Sequence, residues 1–164
     1  MIRPYNIQTG AAPFDGLEMG DLGDIPINTF SLSGSIRLIT EYFDAVLKHD
    51  VIPVGLGGAH TLTLPILRSI AKKHGPVALV HVDAHADVND EMFGERETHG
   101  TVFRRAYEEG LITPEKVFQV GLRGTGYTAE DFSEAQGWGF NMTLAPEIWG
   151  KSLAPLAAEI VSKI

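Results

Sequence analysis

The chain has 164 residues, 44% of them hydrophobic, enough to bury one ordinary core, so a single domain over residues 1–164 is expected. The absence of cysteine excludes disulfides, thiolate zinc sites and a cysteine nucleophile, and suits a reducing, cytoplasmic setting. No apolar run reaches the length of a membrane span, and the net charge of −8 argues against nucleic acid, whose phosphates need a basic face.

Residues 1–30 are rich in Gly, Pro, Asn and Asp and read as irregular. From Ser33 to Asp50 the apolar positions Ile36, Ile39, Phe43, Val46 and Leu47 recur at helical spacing, with Ser33 or Ser35 as the cap. Val51–Leu56 is a short apolar run closed by Gly57-Gly58, which reads as a buried strand. A helix from about Leu62 stops at Lys72-Lys73-His74-Gly75, since basic residues favour a helix C-terminus and glycine ends one. Next come a strand at Val77–Val82, a polar loop at 88–98, a helix at Val102–Glu109 and a strand at Val117–Leu122. The loop Arg123–Tyr127 leads to a helix near Ala129–Gln136, a fourth strand at Phe140–Leu144 and a last helix at Leu153–Ile164. Strand and helix alternate with short connections, which predicts an α/β fold: a parallel sheet with helices on both faces. Ligands of such folds gather beyond the carboxyl ends of the strands, where His60, Asp83–Asp87 and the Arg123–Tyr127 loop all fall.

His81-Val82-Asp83-Ala84-His85-Ala86-Asp87 carries the chemistry. Its polar residues occupy odd positions, so an extended chain would present them on one face. Asp83, His85 and Asp87, joined by His60, make a four-ligand set of oxygen and imidazole donors suited to a divalent first-row metal such as manganese. Taken singly, each has a plainer reading. The acidic cluster reads equally as paired surface groups, and His60 as a cap on the helix that follows it. His81 reads as a histidine satisfied in the core or supporting a ligand rather than as a ligand. His99 is a candidate proton carrier. His49 and His74 are explained by helix ends. Gly57-Gly58 lacks the Lys-Ser/Thr pair of a phosphate loop.

Gly57-Gly58-Ala59-His60, Asp83-Ala84-His85-Ala86-Asp87, His99-Gly100 and Gln119-Val120-Gly121-Leu122-Arg123-Gly124 together resemble the successive motifs of the ureohydrolase (arginase/agmatinase) family. Asp87-Val88-Asn89-Asp90, Met92-Phe93-Gly94-Glu95 and Phe103-Arg104-Arg105-Ala106 are most similar to its guanidinobutyrases and guanidinopropionases, with agmatinases close behind. The resemblance implies a three-layer, arginase-like fold and manganese-dependent hydrolysis of a guanidino compound to urea and an amine, in a homo-oligomer. Position by position it implies that His60 and Asp87 bind one Mn²⁺, His85 the other, and Asp83 both. A bridging hydroxide would attack the guanidinium carbon, Asp87 would orient it, and His99 would relay a proton to the leaving amine. Asn89 and Arg123 would lie toward the far end of the substrate; Arg123 either pairs with a substrate carboxylate or is structural.

Two departures qualify the likeness. Ala59 stands where the family usually has an acidic residue, which would loosen the orientation of His60. The family's second metal motif, Ser-Phe-Asp-x-Asp, has no counterpart here, and Met1 falls where the family's sequence is already under way. The chain is therefore expected to be the central portion of a longer protein, weak in metal, inactive and poorly stable alone. The competing expectations are a non-catalytic remnant or subunit module of the family, and an unrelated metal-binding α/β domain.

Overall fold

The computed structural model describes residues 4–126 and 130–164, the Asp131 side chain excepted. In chain order the elements are α1 (Pro13–Gly16), α2 (Leu32–Val46), a 3₁₀ turn (His60–Leu62), α3 (Thr63–His74), β1 (Val77–Val82), α4 (Val102–Glu108), β2 (Ile112–Leu122), α5 (Glu130–Gly137), β3 (Asn141–Leu144), α6 (Ala145–Ile148) and α7 (Ala154–Lys163). The three strands form a parallel sheet in the order β1-β2-β3, with His81 opposite Gln119 and Phe118 opposite Asn141. Helices cover it on both faces. Val77, Leu79 and Val117 turn toward Leu64 and Leu67 of α3 and Val102, Phe103 and Ala106 of α4. Phe118 and Val120 turn the other way, onto Ile148 of α6 and Leu156 and Ile160 of α7. Each fully buried aliphatic or aromatic side chain here contributes roughly 1.5–3 kcal/mol.

One glycine resets this alternation. Gly121 has φ +91, and the β2–β3 pairing shifts register between Val120 and Leu122. Strict alternation would send Leu122 to the face of Phe118 and Val120; the shift returns it, 1% exposed, to the core beneath α3 and α4. A side chain at 121 would also strain the backbone, because that φ is open chiefly to glycine.

The structure departs from the sequence reading at several points. Pro13–Gly16, within the stretch read as irregular, forms α1, and α2 ends at Val46 rather than Asp50. The cap of α2 is Ser31, whose Oγ accepts from Gly34 N–H at 3.0 Å. Ser33 and Ser35 sit inside the first turn, and Ser35 Oγ donates instead to Asn28 O at 2.8 Å. β2 begins five residues before Val117, at Ile112. The largest correction concerns Val51–Leu56, which is neither buried nor a strand: Ile52 is 93% and Leu56 96% exposed. An extended run becomes a strand only when a neighbour takes its N–H and C=O groups. Among the described residues β1 pairs with β2 alone, so Val51–Leu56 finds no ladder and the sheet has three strands rather than four. The helix expected near Ala129–Gln136 is α5; Ala129 and Tyr127 lie outside the described residues. Among the described residues, no helix is long and apolar enough to cross a membrane.

Candidate metal centre

Pairing continues past the end of β1 and fixes the segment that follows. Asp83 N–H donates to Val120 O at 3.1 Å, and Ala84 O accepts from the N–H groups of Arg123 at 2.9 Å and Gly124 at 2.7 Å. Asp83 Oδ1 accepts from His85 N–H at 2.9 Å, which orients the carboxylate. The chain then turns at Asp87, whose φ of +53 is uncommon for a residue other than glycine. Asp87 O accepts from Phe103 N–H at 3.1 Å, so the first turn of α4 holds this strained residue in place.

His60 comes from the 3₁₀ turn that precedes α3, and its Nδ1 lies 2.6 Å from Asp87 Oδ2. That hydrogen bond raises the His60 pKa, against the opposing effect of burial. Burial lowers the pKa of His81, and His60 beside it lowers it further. At Asp83 burial pushes upward but is outweighed by the His85 N–H and by His81, so the carboxyl stays below its usual range. One ligand atom from each of His60, His81, Asp83 and Asp87 lies within 4.8 Å of all the others.

That group differs from the one the spacing suggested. His81, set aside in the sequence reading, is in it; His85 is not. His85 is exposed, with Nδ1 3.6 Å from Asp83 Oδ1, whereas His81 Nε2 is 3.4 Å from Asp83 Oδ2. The reason is local: the chain leaves extended conformation after Val82 and reverses at Asp87, so odd positions no longer share a face. Asp83 therefore stands between a buried side, with His60, His81 and Asp87, and an exposed side with His85. A carboxylate flanked in this way, with imidazole on either side and a second carboxylate, is a donor set that fits first-row divalent cations.

The surroundings hold the rings firmly. His60 and His81 lie 5.2 Å apart between centroids, and Phe103 packs on both, 5.4 Å and 4.4 Å away. Gln119 is wholly buried on β2; its Nε2 donates to Ala86 O at 2.6 Å and lies 3.2 Å from His81 Nδ1. Its Oε1 has no hydrogen-bond partner among the described residues, at a cost of roughly 1–3 kcal/mol. The reversed amide would set two oxygens 2.6 Å apart and is worse. The register that places Gln119 opposite His81 is what brings the two together, and no signal in the sequence marks it. Ala59 is exposed and contributes no side-chain hydrogen bond, and Asp87 is the hydrogen-bond partner of His60.

An open cleft of about 350 Å³ extends from this point, with His85, Asp87, Asn89, His99 and Gly124 in its wall. His99 and Asp87 thus share one cavity. Asn89 is committed to its loop, with backbone N–H and Nδ2 both donating to Gly100 O at 3.1 Å. Arg123 does not line the cleft; it is exposed, and its Nη1 donates to Gly121 O at 3.0 Å.

The arginase family profile matches residues 1–164, and the chain belongs to that family. Among curated proteins it is 58% identical over 164 residues to a guanidinobutyrase of Pseudomonas aeruginosa, covering 100% of this chain and 51% of that protein. It is 46% identical over 160 residues to the mitochondrial agmatinase of Gallus gallus, covering 98% and 47%. Among solved structures, the proclavaminate amidino hydrolase from Streptomyces clavuligerus matches with a TM-score of 0.91 at 34% identity, over 99% of this chain and 54% of that one. The chain spans about half the length of the relatives it matches. The arginase-like α/β fold expected from the sequence is the fold observed.

Proposed function

We propose that this chain supplies part of the metal centre of a hydrolase that splits a guanidino acid resembling 4-guanidinobutyrate into urea and an amine. The observation that carries the reading is the position of Asp83, between His60 with Asp87 on one side and His85 on the other, with His85 and Asp87 in the wall of the cleft. The 58% identity to a guanidinobutyrase supports the substrate class. Agmatine is the second reading, supported by the agmatinase relative.

In this reading His60, Asp83, His85 and Asp87 would hold the Mn²⁺ ions, His60 and Asp87 on one side of Asp83 and His85 on the other. When bound, such cations supply Lewis acidity and make a coordinated water ionise near neutral pH. The chain's own groups do the rest. Asp87 accepts a hydrogen bond from the attacking water and aims it at the guanidinium carbon. His99 hands a proton to the departing amine across the shared cleft. Asn89, tied to Gly100, fixes where His99 stands. Arg123, outside the cleft wall and donating to Gly121 O, would meet a substrate carboxylate only by swinging its exposed guanidinium inward, and otherwise braces the loop.

The 164 residues alone offer few carboxylates for two cations, so they are expected to show no turnover by themselves. The test is complementation: co-express the chain with the portion of the Pseudomonas aeruginosa guanidinobutyrase that it does not span, add Mn²⁺ and measure urea. The expected result is urea from 4-guanidinobutyrate, with less from 3-guanidinopropionate and agmatine. A folded complex that releases urea from none of them would leave the chain as a non-catalytic member of the family.

A further inference from the structure

We propose that His81 is a positioning residue rather than a metal ligand: Gln119 holds it in the tautomer with its proton on Nε2, and that N–H sets the orientation of Asp83. The inference rests on Asp83 being a cation ligand, and it follows from a chain of three contacts. Ala86 O can only accept, so the Gln119 atom 2.6 Å from it is the amide nitrogen. That same Nε2, through its second hydrogen, faces His81 Nδ1 at 3.2 Å. Nδ1 must then be an acceptor, because a protonated Nδ1 would set donor against donor. A neutral ring that accepts at Nδ1 carries its proton on Nε2.

His81 Nε2 is buried and has no formed hydrogen bond among the described residues; the acceptor it faces is Asp83 Oδ2 at 3.4 Å. Phe103, 4.4 Å from the ring, keeps it from turning elsewhere. Asp83 is then steered at both oxygens, by the His85 backbone N–H at Oδ1 and by His81 at Oδ2. The His85 N–H bond is formed and the His81 contact needs to close by only a few tenths of an ångström; outer hydrogen bonds orient a metal-binding carboxylate and tune its affinity. The proximity of His81 to the ligand atoms would equally suit direct coordination through Nε2, but that requires a proton on Nδ1, where Gln119 already presents one.

The experiment uses protein labelled with ¹⁵N at histidine, and long-range ¹H–¹⁵N correlation spectra recorded without metal and with Zn²⁺ as a diamagnetic probe. The His81 signals are assigned by their loss in His81→Gln. The expected spectrum shows a protonated Nε2 and an unprotonated Nδ1 in both states. A protonated Nδ1, or an Nε2 shifted to a metal-bound position by Zn²⁺, overturns the proposal. Mn²⁺ titration followed by electron paramagnetic resonance gives the second readout. His81→Leu is expected to weaken binding about 10–100-fold, and His81→Gln, whose amide N–H reaches the Nε2 position, to recover it to within about threefold. A His81→Leu protein that binds like the parent overturns the proposal, as does a folded His81→Gln protein as weak as His81→Leu. A parent protein that takes up no Mn²⁺ would refute the metal reading itself, while the metal-free spectrum still decides the tautomer.

Discussion

Phe103→Ala tests whether the buried wall of the site and the core of the fold are one structure. Phe103 is 1% exposed, its ring packs on His60 and His81, and its N–H donates to Asp87 O. Truncation opens a void between α4 and the sheet, and buried Phe→Ala changes cost about 3–5 kcal/mol. Of that, contacts between rings account for roughly 0.5–1.5 kcal/mol per pair. Domains of this kind have only about 5–15 kcal/mol in total, so Phe103→Leu serves as a milder companion. With a urea m-value of about 1–3 kcal/mol/M, Phe103→Ala should lower the denaturation midpoint by about 2 M in the metal-free protein. Mn²⁺ affinity should fall as well, since both imidazoles lose their backing. A destabilisation below about 1 kcal/mol would refute the reasoning, because no well-packed interior phenylalanine is removed that cheaply.

Three other substitutions probe separate parts of the account. A Cβ at Gly124 would lie 2.3 Å from His85 Cδ2 and 3.0 Å from Ala84 O, so Gly124→Ala should displace the His85 ring at a cost of roughly 1–3 kcal/mol. A crystal structure of that variant with His85 unmoved would contradict the contact. Lys72 Nζ donates to Asp44 Oδ2 at 2.6 Å between α3 and α2, and this hydrogen bond lowers the Asp44 pKa. A lowered carboxyl stabilises above its unfolded pKa of about 3.9, and the contribution is lost as pH falls through the lower folded value. Asp44→Asn should therefore cost up to about 1 kcal/mol at pH 6 and progressively less as the pH falls below about 3.9, as measured by denaturation across that range. Val54 is 82% exposed, so Val54→Lys should change the stability of the chain by no more than about 0.5 kcal/mol; a loss of several kcal/mol would restore the buried strand.

What the sequence made legible was whatever depends on local pattern. β1 runs over Val77–Val82 as its apolar run implied, and α3 stops where basic residues and Gly75, at φ +79, end it. The polar groups gather beyond the strand ends, as the parallel-sheet reading required. What depends on partners was not legible. Val51–Leu56 has the composition of a strand but no neighbour to pair with. The first residues of β2, Ile112-Thr113-Pro114-Glu115-Lys116, have the composition of a loop, yet Ile112 pairs with Val77. The site followed the same rule. Its ligand types were plain in Asp83-Ala84-His85-Ala86-Asp87, but the reversal at Asp87 decided which side of Asp83 each imidazole occupies. The link from Gln119 to His81 emerges only once the strand register is known.

The most direct test of the account is a crystal of the protein soaked in Mn²⁺, with the anomalous signal of manganese recorded. The account predicts density between His60 Nδ1, Asp87 and Asp83, and, once the complementing half is present, a second peak across Asp83 toward His85. Peaks confined to other surface carboxylates, or no peak near Asp83 at saturating Mn²⁺, would contradict it.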